Sequence, residues 1–279
     1  MFKEKILKDQ VAIITGGGTG LGKEIAKDFA RHGANIVIAS RKMEHLETGK
    51  AEIEREGTEV MTFQLDIREP SKIEELRDAV LKQFGKINIL LNNAAGNFLY
   101  PAEKLPFKGW DAVIDIVLNG SFYCSQIIGN QMIKQKQGQI VNVLATYAWT
   151  GGPGTIHSAC AKAGVLAMTR TLAVEWARYG IRVNAISPGA FETEGARDRL
   201  WPTEEIRQAI INEIPSKRFA TPEEIAQAVL YLVSPYANYI NGECLVMDGG
   251  AWLGKGIANL DKFVDKFDKL REARKKSDS

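Results

Sequence analysis

Only three cysteines occur in the 279 residues, at positions 124, 160 and 244, and no two have Cys-x-x-Cys spacing. A small, odd number excludes a disulfide framework and a cysteine zinc site, and it fits a reducing compartment. Cys160 reads as a small buried side chain, with a reactive thiol as the sharper alternative. Charge of one sign is also missing: 36 basic against 34 acidic residues leave +2. That balance gives no reason to expect nucleic acid as partner, although a local basic patch for an anionic ligand remains open. A membrane-surface helix at the C-terminal tail is the sharper reading of that segment and is disfavoured because acidic residues interleave with its lysines. No apolar run reaches the length of a membrane span. Met1–Gln10 carries no signal-peptide core and the chain ends Ser277-Asp278-Ser279, not Ser-Lys-Leu, so a cytoplasmic protein is expected. No metal-ligand spacing, internal repeat or Pro/Ser-rich linker stands out, so no metal is expected and one main domain is read.

What is present is alternation. Short apolar runs at Val11–Thr15, Asn35–Ala39, Val60–Asp66, Ile87–Asn92, Gln139–Leu144, Arg182–Ser187 and Glu243–Met247 predict strands. Between them, Leu21–His32, Met43–Glu56, Ser71–Phe84, Gly109–Lys134, Ser158–Tyr179 and Pro222–Val233 predict helices. Continuous apolar strands alternating with helices imply an α/β fold: a single, doubly wound parallel sheet of Rossmann type, with right-handed crossovers. The domain is read over 1–253. The tail, 254–279, places Leu260, Phe263, Val264, Phe267 and Leu270 at helical spacing and reads as an amphipathic helix, packed on the body or on a neighbouring subunit.

The first strand runs into Thr15-Gly16-Gly17-Gly18-Thr19-Gly20-Leu21-Gly22, which opens a helix. Glycines let backbone approach a pyrophosphate, and the helix start offers free N–H groups at the positive end of its dipole. A P-loop is the competing match through Gly17, Gly22 and Lys23, but Glu24 cannot supply the hydroxyl that a P-loop places on magnesium. After the second strand, where NAD sites usually place an acid for the ribose, stand Arg41 and Lys42. Two cations there attract a 2′-phosphate, so NADPH is the expected cofactor; a solvated surface pair is the bland reading.

The ordered set continues with Asp66-Ile67, Asn92-Asn93-Ala94-Ala95-Gly96, Pro188-Gly189 and Met247-Asp248-Gly249-Gly250. Together with the glycine turn, these resemble the short-chain dehydrogenase/reductase family over Gln10–Trp252. The resemblance implies a cofactor site at Gly16, Gly18, Thr19, Gly20, Leu21, Gly22, Arg41, Lys42, Asp66, Ile67, Asn93, Ala94, Lys162, Pro188, Gly189, Ala190 and Phe191. One feature departs from that family's general pattern. Lys162 has Ser158 four residues before it, where those enzymes place tyrosine, and Tyr147 lies eleven residues further upstream.

With Asn93-Ala-Ala-Gly-Asn-Phe98 and Ile116-Val-Leu-Asn119-Gly120, that arrangement resembles the 2,4-dienoyl-CoA reductases of unsaturated fatty-acid β-oxidation. The resemblance implies that Tyr147 and Asn119 hold the thioester oxygen of an acyl-CoA, and that Lys162 binds the nicotinamide ribose. Ser158 supports the lysine or the thioester. Hydride addition at C5 of a dienoyl thioester sends charge along the π system to that oxygen, so the donor belongs there, several bonds from the carbon being reduced. A proton then returns at C2 from water or Tyr147, giving a 3-enoyl-CoA. Arg68 and Arg199 match positions that contact the CoA substrate, and Phe98 is placed near the acyl chain. The bland readings are a loop aromatic for Tyr147, a helix-interior amide for Asn119, a helix N-cap for Ser158 and solvated arginines. His157 beside Ser158 invites a hydrolase reading, but adjacent side chains do not face each other and no Gly-x-Ser-x-Gly is present. A mobile lid is expected at Glu192–Pro202, and a homotetramer through Asp111–Lys134 and Ala159–Tyr179. Alternatives are a trans-2-enoyl-CoA reductase and an NADPH-binding regulator without turnover.

Overall fold

The computed structural model describes residues 5–192 and 203–253, with Val264, Phe267 and Lys269 of the tail. Arg199, nearly all of the expected lid and most of the expected tail helix lie outside the described residues. Seven parallel strands form one sheet in the order β3-β2-β1-β4-β5-β6-β7. They are β1 (Val11–Thr15), β2 (Asn35–Ser40), β3 (Val60–Gln64), β4 (Ile89–Asn92), β5 (Gly138–Val143), β6 (Ile181–Pro188) and β7 (Cys244–Met247). The order reverses direction between β1 and β4, and such a switch point opens a crevice beyond the strands' carboxyl ends.

Side chains alternate strictly across the sheet. Ala12, Ile14, Ile36, Ile38, Ile89 and Leu91 face one core, while Val11, Ile13, Val37, Ala39 and Leu90 face the other. The first core is covered by α1 (Gly20–Arg31), α2 (Met43–Glu54) and a late helix, Pro222–Val233. The second is covered by α3 (Pro70–Phe84), α5 (Gly120–Gln135) and α7 (Ile156–Trp176). Each fully buried Ile or Leu contributes about 1.5–3 kcal/mol against exposure, which is why a strand apolar on both faces stays in the middle of this sandwich.

The single helix expected over Gly109–Lys134 is three pieces. α4 (Phe107–Ile114) passes through a π-turn, Asp115–Asn119, into α5. Together, Phe107–Gln135 is long and apolar enough to cross a membrane by length and composition. That corrects the expectation that no segment reaches such a length: Lys108, Asp111 and Asp115 interrupt the apolar letters without ending the helix. Half of its most apolar window is buried inside the protein, and α5 packs on β4, β5 and α7, as a core helix does. Two helices were not expected: α6 (Tyr147–Thr150) and α8 (Glu204–Glu213). α9 (Pro222–Val233) starts with a capping box, in which Thr221 Oγ1 accepts from Glu224 N at 3.2 Å and Glu224 Oε2 accepts from Thr221 N at 2.9 Å. This box fixes Pro222 and Glu223 at the mouth of the crevice.

Candidate active site

A cleft of about 1060 Å³ lies over the carboxyl ends of β1, β2 and β4. Gly16, Gly18, Thr19, Gly20, Arg41, Lys42, Asp66, Ile67, Asn93 and Ala94, all expected at the cofactor, line it together. Its floor is tightly built. Gly16 sits at φ +65°, and a Cβ on Gly22 would lie 2.5 Å from Gly16 O and from Asn93 Nδ2. Thr15 Oγ1 accepts the backbone N–H groups of Asn93 and Ala94, each at 3.0 Å, while Asn93 Nδ2 donates to Thr15 O at 3.0 Å. The switch point is thus stitched shut beneath the glycines. Thr19 precedes α1 without a side-chain cap, so the first-turn N–H groups are left for an anion. A dinucleotide pyrophosphate fits this cradle: flat backbone, no Cβ in the way, and free donors.

Leu21 and Gly22 do not line the cleft; Leu21 is in the first core and Gly22 packs under the turn. Pro188, which ends β6, and Gly189, Ala190 and Phe191 after it also lie outside its lining, as does Lys162 of α7. Gly189 N donates to Met247 O at 2.8 Å, Ala190 O accepts from Ala220 N at 3.1 Å, and Phe191 packs on the first core. Also lining the cleft, though not expected at the cofactor, are Lys23, Ser40, Glu44, His45, Thr48 and Glu52 among others, with Ile116 of the π-turn and Glu192, where the expected lid begins. Lys23 Nζ bonds Glu52 at 2.8 Å, so the lysine of the P-loop match is engaged with a carboxylate across the cleft wall.

Asp66 and Arg68 form a pair, with Arg68 Nε 2.9 Å from Asp66 Oδ1. The Arg68 hydrogen bonds hold the Asp66 carboxyl below its ordinary range, against the opposing effect of burial. Arg68, expected on CoA, is here bound to the residue expected at the adenine.

The second cluster stands on the β5–β6 side. Tyr147 opens α6, and Gly151 and Gly154, both at φ +72°, turn the chain back into α7. Thr155 Oγ1 donates to Gly152 O at 2.9 Å and holds the loop closed. The turn brings Tyr147 Oη to 3.0 Å from Ser158 Oγ. Burial raises the Tyr147 phenol, and the Ser158 hydrogen bond offsets part of that effect. The phenol therefore stays protonated at neutral pH and can donate. One turn along α7, the buried Lys162 ammonium donates to Val143 O at the end of β5. Burial pulls this lysine down to about 8.

Ser158 is not a helix N-cap. It lies inside α7, whose N-cap is Thr155, because the helix begins two residues earlier than its apolar pattern suggests. His157 accepts the Ser158 backbone N–H on Nδ1 at 2.8 Å, so the imidazole serves the backbone and not the hydroxyl. Phe98 stacks edge-on against His157 with centroids 4.4 Å apart. Cys160, expected buried, is exposed, because its position on α7 turns away from the face that carries Lys162. Asn119 ends the π-turn, and its Nδ2 donates to Asp115 Oδ1 at 2.9 Å, not to the Tyr147–Ser158 pair. α7 packs against that π-turn, so Asn119 neighbours the helix that carries Ser158 and Lys162.

Residues 16–251 match the family model described as enoyl-(acyl carrier protein) reductase. A Bacillus subtilis (strain 168) protein named probable 2,4-dienoyl-CoA reductase, (2E)-enoyl-CoA-producing, is 49% identical over 249 residues, covering 88% of this chain and 98% of its own. The Pongo abelii peroxisomal 2,4-dienoyl-CoA reductase, (3E)-enoyl-CoA-producing, is 42% identical over 274 residues, covering 96% of this chain and 94% of its own. A crystal structure of a short chain dehydrogenase from Bacillus anthracis str. 'Ames Ancestor' superposes with a TM-score of 0.83 at 51% identity, over 90% of this chain and 99% of the other. A nucleotide cradle at the β1/β4 switch point, a lysine on α7 and this degree of identity place the chain in the short-chain dehydrogenase/reductase family, among relatives named 2,4-dienoyl-CoA reductases.

Proposed function

We propose that this protein reduces 2,4-dienoyl-CoA thioesters with NADPH. One observation carries the reading: the phenol that the ordinary family pattern places four residues before the lysine is instead delivered from α6, where Tyr147 Oη meets Ser158 Oγ at 3.0 Å. Ser158 fills the vacated position; when its hydroxyl donates to the phenol oxygen, the phenol proton is free for a ligand oxygen.

The cradle at Gly16–Gly22, with Asp66, Asn93 and Lys162, would hold a nicotinamide cofactor, which supplies hydride when bound. Arg41 and Lys42 at the rim favour the phosphorylated form. This chain's own residues handle charge and protons. Addition at C5 of a conjugated dienoyl thioester moves a negative charge to the thioester oxygen, and donors aimed at that developing charge lower the barrier most. Tyr147 and Asn119 are those donors. The Lys162 ammonium adds a positive charge in a buried setting, where it is weakly screened. Protonation at C2, beside the thioester donors, yields the 3-enoyl product. The bacterial relative's name gives the (2E) product, which requires the proton at C4 instead.

Assay separates these readings. Purified enzyme oxidises NADPH with a 2,4-dienoyl-CoA and leaves a simple 2-enoyl-CoA unreduced, and NMR of the product finds the remaining double bond at C3. Preference for the 2-enoyl-CoA, or cofactor binding without turnover of any acyl-CoA, defeats the proposal. Subunits are proposed to associate through α5 and α7, where Phe122 and Val174 are exposed.

A further inference from the structure

Asn119 can hold a thioester oxygen only if its amide presents N–H there and not its carbonyl. The two ends of an amide have nearly the same shape, so the surroundings must choose. Here the partner is a carboxylate: Nδ2 lies 2.9 Å from Asp115 Oδ1. An ionised carboxylate accepts only, so it cannot pair with the amide oxygen. The flipped amide would place two acceptors face to face. Nδ2 carries two hydrogens; one is spent on Asp115 and the second is left free.

The backbone is built to hold this pair. In the π-turn Gly120 N donates to Asp115 O, one residue beyond the α-helical partner. Such single-turn bulges widen a helix and recur at functional sites. This one is clamped from two sides. A Cβ on Gly120 would lie 2.6 Å from Ile67 Cδ1, and one on Gly164 of α7 would lie 2.9 Å from Leu118 Cδ1. Ile67 and Ile116 line the nucleotide cleft, while Gly164 follows Lys162 on the same helix. Asp115 also has a cationic neighbour. Arg68 is held protonated first by its hydrogen bonds to Asp66 and further by the charge of Asp115.

We propose that Asp115 is a positioning residue, whose carboxylate fixes the Asn119 amide so that one N–H faces the thioester oxygen. This rests on the reading of Asn119 as a thioester donor. Asp115 does not itself touch the substrate.

The test uses Asp115→Leu, with Asp115→Ala where the leucine does not fold, alongside Asp115→Asn, whose amide oxygen can still accept from Nδ2. Asn119→Ala is the reference. Three quantities are measured on the full-length enzyme: NADPH affinity, kcat and KM on a 2,4-dienoyl-CoA, and the absorption band of that thioester bound beside NADP⁺, where no turnover occurs. Hydrogen bonding to the thioester oxygen polarises the conjugated system and moves the band to the red. Asp115→Leu is expected to lose most of that red shift and roughly 10- to 100-fold in kcat, within the ~10²–10³ typical for losing a donor outright. NADPH affinity stays unchanged, and Asp115→Asn restores both signals to within about threefold, less than one good hydrogen bond is worth. A silent Asp115→Leu beside a damaged Asn119→Ala overturns this proposal alone, as does an asparagine variant as impaired as the leucine. A silent Asn119→Ala overturns the donor role of Asn119 and this proposal with it. Wild-type enzyme inert toward every dienoyl-CoA overturns the reductase reading itself.

Discussion

Lys162 gives a prediction whose size follows from the structure. Its ammonium is buried, donates to Val143 O, and is pulled from the ordinary lysine value of 10.5 down to about 8 by burial. At about 1.4 kcal/mol per pH unit, that difference corresponds to about 3 kcal/mol between the charged and neutral forms. The sign is set by which state holds the proton. Below pH 8 the lysine is charged folded and unfolded, and the folded enzyme bears the full cost of burying it. Between pH 8 and 10.5 the unfolded chain keeps a proton that the folded protein has released, so raising pH favours folding. Other groups titrate in this range, and Lys162→Met subtracts them. Urea unfolding of cofactor-free wild type and Lys162→Met, followed by far-ultraviolet circular dichroism from pH 7 to 10.5, measures the difference. Wild type should gain on the variant by about 3 kcal/mol as pH rises through that window. A difference that does not change with pH, or that grows as pH falls, refutes the burial argument.

Two further predictions concern the cofactor end. Gly22→Ala puts a methyl group 2.5 Å from Gly16 O, where backbone must move. It is expected to destabilise the fold by about 1–3 kcal/mol and to weaken NADPH binding at least tenfold, read by thermal unfolding and by fluorescence titration. Arg41→Ala with Lys42→Ala removes the two cations at the cleft rim. The ratio of kcat/KM for NADPH over NADH should fall about 10- to 100-fold, as expected for losing charge-assisted hydrogen bonds to a phosphate; equal use of both cofactors by wild type would remove these residues from that role.

How much of this was readable in the sequence depends on the kind of signal. Strands apolar on both faces, such as Val11–Thr15, announce a sheet covered twice, and their ends announce the crevice. The glycine turn was legible because close backbone approach leaves few residue choices. The π-turn at Asp115–Asn119 was not, because one extra residue per turn shifts the apolar phase by less than the width of the stripe. An acid four residues before Asn119 was its only trace, and that spacing is common on helix surfaces. α6 holds four residues, too few for periodicity, and the return of Tyr147 to Ser158 depends on Gly151 and Gly154, whose turn angles carry no record of where the chain goes next. The Asp66–Arg68 pair lies past the end of β3, in a loop where no periodicity sets which way side chains point.

The proposed reduction needs a phenol at the thioester oxygen, and Tyr147→Phe removes that hydroxyl and little else. Single-turnover reduction of a 2,4-dienoyl-CoA by the NADPH-loaded variant should slow by ~10²–10³, the typical loss for one oxyanion donor, with NADPH affinity unchanged. Turnover near the wild-type rate would contradict it.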